Sequence, residues 1–383
     1  MKKRFILIIT LLIAVGISTY QFQELFCRPA DFNDEDRLTF FHNEPKNSMD
    51  IVVMGSSDVY AGYSAATAYT NYNITSYPYA ISGSTVVTWK GMLEDIMATQ
   101  KPKLVVVEPF GACYDDMVLR ERSSQSIKLL DTMNFSARKI RLAREMSNRV
   151  EGSNTFDFLF PFIKFHNRYG SYVRNYQKQA EIKKINISPL KGVSNYSRIS
   201  RPHNIYDARN DNQTRELGSG SYECLIEFLD YAKANNINIV FAKFPQIVGR
   251  EGDEQHKVLL RANKIGEIAS EYGYSYINLE QHWDEIGLET YGDFYNMTHL
   301  NVFGQKKVTD YLCQYLISEH NLEVSPKKGR IKKNWDKAEK YYTAYTAYSA
   351  QQIARGIKEN LGDSPEDLKK LTRYMKENNF TNN

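Results

Sequence analysis

Short, wholly apolar runs recur along this chain, each followed by a stretch with helical spacing. Ile51-Val52-Val53-Met54 ends at Gly55. A run of that length, apolar at every position, predicts a strand buried on both faces. Asp58 to Tyr69 then predicts a helix or extended turn, Tyr77 to Ile81 a second strand, and Ser84 to Thr99 a helix through Val87, Met92 and Ile96. Leu104-Val105-Val106-Val107, flanked by Lys103 and Glu108, is the clearest buried strand. Asn238 to Ala242 is another, led in by a helix from Tyr222 to Ala234. His256 to Tyr272 is amphipathic, Tyr274 to Leu279 is a last strand, and Gly304 to Ile317 closes the unit as a helix. Strand and helix in alternation predict an α/β fold, a parallel sheet with helices on both faces.

Three segments depart from that rhythm. Lys2-Lys3-Arg4 precede an apolar run from Phe5 to Ile17 broken only by Thr10 and Gly16, the pattern of an export signal whose basic end stays in the cytoplasm. The run is shorter than the ~20 residues of a spanning helix, so a cleaved signal competes with a membrane anchor; the anchor is favoured, because no polar stretch separates Ala14-Val15-Gly16 from the run. Either way the remainder works outside the cytoplasm. Residues 114–218 predict a helical insertion or cap, whose Arg138, Lys139, Arg141 and Arg144 read as a solvated helix face. Beyond residue 320, Lys327 to Lys340 holds seven basic residues against two acidic ones, followed by Tyr341, Tyr345 and Tyr348 at helical spacing, and Ser364-Pro365 caps a further helix. The organisation expected is therefore a membrane anchor or signal segment over 1–26, one catalytic-type domain over 48–320, and a basic helical extension over 321–383.

Composition narrows the chemistry. At 383 residues the chain buries a sizeable core, and a net charge of +4 gives no global reason to expect a nucleic-acid partner. Four widely spaced cysteines without a CxxC pair, and seven histidines without an HExxH face, point to no metal and no dense disulfide framework. No cofactor motif is present.

Two clusters carry chemistry. Gly55-Ser56-Ser57-Asp58 follows the first buried strand, which places a serine hydroxyl at the carboxyl end of the sheet, beside the amides of a helix start. Val59 rules out the GxSxG elbow of ordinary α/β-hydrolases. The second cluster, Asp293-Phe294-Tyr295-Asn296-Met297-Thr298-His299-Leu300-Asn301, lies just before the last helix. A nucleophilic serine needs a base, and His299 is the candidate; Asn296, three positions earlier, can orient the ring, with Asp293 as the reserve carboxylate.

Together, and in this order, the two clusters resemble the SGNH/GDSL hydrolase superfamily over roughly residues 48–320. Gly55-Ser56-Ser57 stands where that superfamily has Gly-Asp-Ser, Ser82-Gly83 looks like its second block, and Asn296-Met297-Thr298-His299 stands where it has Asp-x-x-His. The resemblance implies a flavodoxin-like three-layer fold, Ser57 as nucleophile, His299 as base, and the Ser57 and Gly83 amides as oxyanion hole. The chain departs twice: the stretch equivalent to the third-block Gly-x-Asn-Asp is Glu108-Pro109-Phe110-Gly111-Ala112-Cys113, with no Asn, and Asn296 replaces Asp. Loss of an oxyanion donor costs about 10²–10³ in rate, and Asp to Asn in a serine protease triad about 10⁴ in kcat.

Within the superfamily the chain looks most like membrane-anchored envelope proteins that partner membrane-bound O-acyltransferases, such as the D-alanyl-lipoteichoic-acid transfer protein. The N-terminal segment, Phe160 to Tyr169 and Ala242-Lys243-Phe244-Pro245 carry this likeness. It implies an extracytoplasmic acyltransferase or esterase acting on a cell-envelope polysaccharide or teichoic acid. His166, Arg168 and Lys243 are candidate substrate contacts, Arg168 because its fork suits a phosphate or carboxylate. The rival reading is a non-catalytic polymer-binding subunit of the same assembly.

Overall fold

The computed structural model describes residues 2–26, 33–121, 123–150, 152–160, 177, 188–355, 360–361, 369, 372–373 and 375–377. Among the sequence expectations, His166, Arg168, Cys27 and the Ser364-Pro365 cap lie outside these residues.

Five parallel strands form the central sheet: β1 (Ile51–Gly55), β2 (Ser76–Ala80), β3 (Leu104–Val107), β5 (Ile239–Lys243) and β6 (Ser275–Asn278), in the order β2-β1-β3-β5-β6. The chain leaves β1 toward β2 on one side and then places β3 on the other, so the direction of winding reverses at β1. This reversal opens a crevice at the carboxyl ends of β1 and β3, where open α/β sheets place their ligands. β1, β2, β3 and β5 are buried at every position, which is why β1 and β3 read as unbroken apolar runs rather than as alternating ones.

Helices flank the sheet. The predicted element over 58–69 is two helices, α3 (Ser57–Gly62) and α4 (Ala65–Tyr72), because Ser64 caps a new helix by accepting from the Thr67 amide. α5 (Trp89–Thr99), α10 (Ser219–Ala234), α11 (Glu254–Glu271) and α13 (Val302–Glu319) follow the expected order. The insertion contributes α6 (Asp116–Glu121), α7 (Ser123–Thr132), α8 (Ala137–Ser147) and α9 (Thr155–Leu159).

The basic face of α8 is not simply solvated. Arg138 pairs with Asp95 at 2.8 Å and Arg141 with Glu94, both on α5, while Lys139 is buried and donates to the Met133 carbonyl. Asp95 also accepts from Tyr79 of β2 and faces His42 Nε2, each at 2.6 Å. One buried carboxylate thus joins the insertion to the sheet, and the charges that look like surface in sequence are docking contacts.

Chain from both ends of the globular unit joins the same core. α2 (Asn33–Asn43) packs Phe41 against Tyr77 and Tyr79, with ring centroids 5.2 and 4.6 Å apart. α14 (Gly329–Ala354) buries Trp335 and Tyr345; Trp335 faces the Tyr69 ring at 5.2 Å, and Tyr345 bonds both backbone groups of Asn195. The two-residue strand β4 (Asn195–Tyr196) pairs antiparallel with β7 (Asn360–Leu361). α1 (Lys2–Phe26) exposes Phe5, Leu7, Leu11 and Leu12. Among the described residues, no helix is long and apolar enough to cross a membrane.

Residues 188–197 form a buried strap between these parts. Arg37 donates to the Gly192 carbonyl and Ser194 hydroxyl, and Lys191, fully buried, grips both oxygens of Glu44 at 2.7 and 2.9 Å beneath Trp335. Burial pushes Glu44 up and Lys191 down, toward their neutral forms, and their mutual attraction opposes it. Removing one member of such a pair leaves a desolvated charge, whereas removing both does not. Lys191→Met is expected to lower unfolding free energy by about 3–5 kcal/mol in chemical denaturation, and Glu44→Leu/Lys191→Met to recover most of that loss.

Candidate functional site

Gly55 ends β1 with φ +155, and a Cβ there would lie 2.7 Å from the Cβ of Glu108 on the neighbouring strand's exit. Only glycine lets the two strand ends approach so closely. The next residue, Ser56, is buried and caps α3, its hydroxyl accepting from the Asp58 amide at 3.3 Å. Glu108 holds this cap from below: one carboxyl oxygen accepts from the Ser56 amide at 3.1 Å and from its hydroxyl at 2.7 Å, and the other from the Phe110 amide at 2.6 Å. Of the two adjacent serines, Ser56 is therefore consumed by the fold. Ser57, first residue of α3 and partly exposed, is left facing outward.

His299 reaches it from a loop closed on itself. Phe294 and Leu300 form an antiparallel bridge, and the Asn301 amide donates to the Asp293 carbonyl at 2.8 Å. Asn301 then caps α13 by accepting from the Phe303 and Gly304 amides. Within the loop, Asn296 Oδ1 accepts from the Thr298 amide, the Thr298 hydroxyl and the His299 amide at 2.9, 3.1 and 2.8 Å. The same oxygen lies 3.2 Å from His299 Nδ1. An amide oxygen only accepts, so it selects the Nδ1–H tautomer and leaves the Nε2 lone pair toward Ser57 Oγ, 2.8 Å away. Burial pushes the His299 imidazole down to about 4. At neutral pH the ring is a neutral acceptor, and a serine hydroxyl so placed has a proton acceptor in hydrogen-bond contact, the arrangement that nucleophilic chemistry requires.

Asp293, the reserve carboxylate, is used elsewhere: it accepts from the Glu289 amide at 2.7 Å and pairs with Lys307 at 2.8 Å, holding the loop to α13. Lys243 is not an exposed substrate contact. It is buried at the end of β5, with its ammonium on Glu280 at 2.8 Å and on the Phe244 carbonyl at 2.7 Å. Gly83 sits in the turn after β2 with φ +63, a left-handed conformation that suits glycine.

Beneath Ser57 lies a set of ionisable groups that the motifs do not announce. Asp58 is buried, accepts from Gln246 at 2.6 Å, and stands with its other oxygen 3.8 Å from His299 Nε2. Burial pushes Asp58 up to about 7, against the pull of Lys243 and of the Gln246 hydrogen bond. Burial, then the proximity of Asp58, pushes Glu108 up to about 8 against its hydrogen bonds. Glu280 is raised by burial, with Lys243 opposing. Because the two carboxyls interact, the first proton near neutral pH leaves the pair as a unit, and both groups are held above the ordinary carboxylate range by burial. Asp58 is adjacent to Ser57 in the chain, so its position was visible; its burial was not. Glu108 and Gln246 carry no sequence signal beyond following predicted strands.

The rim beside His299 is aromatic. Tyr196 meets the His299 ring edge-on at 5.7 Å and stacks on Tyr295 at 4.3 Å, while Arg198 lies over Tyr295 at 4.5 Å. A separate pocket of about 470 Å³ opens among Lys103, Asn238, Tyr274 and His320. It lies at the amino ends of the strands, on the opposite side of the sheet from Ser57, and has no part in this chemistry. Among the described residues no group of three or more His, Cys, Asp or Glu side chains could hold a metal ion. Comparison with protein-family models, with curated proteins and with solved structures gives no match.

The raised carboxyl of Glu108 has a consequence for stability. A carboxyl held above its ordinary 4.5 in the fold contributes stability at acidic pH that is lost as pH rises through about 8. His299, held below 6.5, acts in the opposite sense only between about 4 and 6.5. Tm followed by scanning fluorimetry is therefore expected to fall most steeply between about pH 6.5 and 8, with Asp58 adding to the fall up to about 7, and Glu108→Gln to flatten it.

Proposed function

We propose that this chain is an SGNH-type serine acyltransferase or esterase, and that Ser57 is acylated during turnover. The single observation that carries the reading is the 2.8 Å contact between Ser57 Oγ and His299 Nε2, at the carboxyl end of a parallel sheet. His299 takes the hydroxyl proton as Ser57 Oγ bonds to the acyl carbon of an ester or thioester. The carbonyl π pair moves to oxygen, facing the backbone amides of Ser57 and of the Gly83 turn. Collapse of the tetrahedral species expels the alkoxide or thiolate, which takes the proton from Nε2. A second hydroxyl, or water, then repeats the sequence in reverse.

Transfer and hydrolysis differ only in the group that deacylates the serine. The acceptor class proposed is the hydroxyl of a cell-envelope polysaccharide or teichoic acid, with a membrane-bound O-acyltransferase as partner. The support for this is the family resemblance together with the basic flank and the exposed apolar side chains of α1, which suit a segment lodged in or passed through a membrane. The missing third-block Asn, and Asn296 in place of the superfamily's Asp, favour the second reading, a subunit that binds polymer without turnover.

A fluorophosphonate probe separates the two. Full-length protein in membranes or detergent is expected to be labelled on the peptide carrying Ser57, with loss of fluoride. Ser57→Ala abolishes the label and His299→Ala slows it by at least about 10². Absence of labelling in the folded protein would favour the binding subunit. Localisation has its own measurement: the protein is expected in the membrane fraction, with residues beyond 33 open to protease added outside the cell, and a soluble cytoplasmic chain would sink that part.

A further inference from the structure

A serine–histidine pair oriented by an asparagine lacks the negative charge that ordinarily steadies the imidazolium. Asn296 fixes the tautomer but brings no charge, and its oxygen already takes three other hydrogen bonds. Asp293, the nearest loop carboxylate in sequence, is bound to Lys307. The charge has to come from elsewhere, and one buried carboxylate stands on the other side of the ring.

We infer that Asp58 is the positioning residue that supplies it, stabilising the His299 imidazolium from the Nε2 side across 3.8 Å. This rests on the acyl-transfer reading and adds a part that reading does not contain. The distance is too long for a hydrogen bond and right for a Coulombic contact. Gln246 donates to the far oxygen at 2.6 Å, which turns the near oxygen toward the ring. Both groups lie in a site sheltered from water, where such a contact is little screened. The proton itself travels from Ser57 Oγ to Nε2 and later to the leaving group; Asp58 neither accepts nor gives it.

The charged groups around Asp58 come from every element that meets there. Lys243 at the end of β5 favours its ionised form. Glu280 beyond β6 opposes it, while Gln246 in the loop after β5 supports it by hydrogen bonding. Glu108 after β3 is raised by the presence of Asp58, as is the buried thiol of Cys113. His299 faces it from the loop before α13. Lys243 is held by Glu280 at 2.8 Å, and of these buried carboxyls it is Asp58 whose free oxygen faces His299, so negative charge in the crevice reaches the ring through Asp58.

The test is the pH profile of Ser57 labelling by a fluorophosphonate in the full-length protein. The wild-type rate is expected to rise as His299 deprotonates near pH 4 and to rise again as Asp58 ionises near pH 7. Asp58→Asn is expected to lose the upper step and to label about 10- to 100-fold more slowly at pH 8, with its fold checked by Tm. Asn296→Asp restores a charge on the Nδ1 side, so adding it to Asp58→Asn is expected to recover at least about tenfold. The inference is overturned by a wild-type profile flat between pH 5 and 9, or by a folded Asp58→Asn protein that labels like wild type. That result would leave the acyl-serine reading standing. No labelling of Ser57 in any variant at any pH overturns both.

Discussion

The position of the reactive serine depends on the grip of one carboxyl group. Glu108 leaves β3 directly beside the point where β1 ends, because Met54 and Val107 are register partners in the parallel ladder. From there its two oxygens accept from Ser56 twice and from Phe110 once. Each bond is modest alone, about 0.5–1.5 kcal/mol, but together they weld two strand exits into one rigid floor. Ser57 inherits its place from that floor, and His299 Nε2 meets its oxygen at 2.8 Å only while the floor holds. A displacement of about 1 Å in such a pair costs on the order of 10² in rate. This is also why Gly55 admits no side chain: the approach that lets Glu108 reach Ser56 leaves no room for one.

The floor brings an electrostatic burden. Asp58, Glu108 and Glu280 are all buried, and the Lys243 ammonium favours ionisation of two of them, Asp58 and Glu280, against their burial. Three ionised carboxylates around one ammonium would not stay buried, so the site remains intact by keeping protons. Those same protons make it responsive to pH. Two demands meet at Glu108: burial and the neighbouring Asp58 push it toward the neutral form, while the three hydrogen bonds it accepts favour the ionised one. The Glu44–Lys191 pair beneath the strap solves a similar problem differently, with one charge of each sign and nothing left over.

The centre of the sheet was legible because β1 and β3 are buried on both faces, and such strands leave unbroken apolar runs that need no context to read. The contact between Ser57 and His299 was legible through order and spacing, a serine after the first strand and a histidine before the last helix. The groups that tune them were hidden for a physical reason. A buried Glu, Asp or Lys is written with the same letter as a solvated one, and only the fold tells which it is. Lys243 therefore looked like a substrate contact when it neutralises Glu280. Arg138 and Arg141 looked like a solvated face when they dock α8 on α5. Glu108 stood only for the absence of an expected asparagine. The predicted helix over 58–69 hid a break for a related reason, since Ser64 caps a helix only once the turn before it has formed.

Asn296 is best understood through what an aspartate would do in its place. Its oxygen lies among the Thr298 amide, the Thr298 hydroxyl and the His299 amide before it ever meets Nδ1. A carboxylate there would be ionised well below neutral pH, because each of those donors favours the charged form. It would place a permanent negative charge within reach of the ring and raise its affinity for a proton. A neutral amide instead lets the loop close and the tautomer be chosen without that charge, and burial pushes the ring down to about 4. Orientation and charge, which a triad aspartate provides from one atom group, are then separate tasks on opposite sides of one imidazole. That separation leaves the resting base neutral over a wide acidic range, and makes its strength as a base depend on the state of the crevice below Ser57.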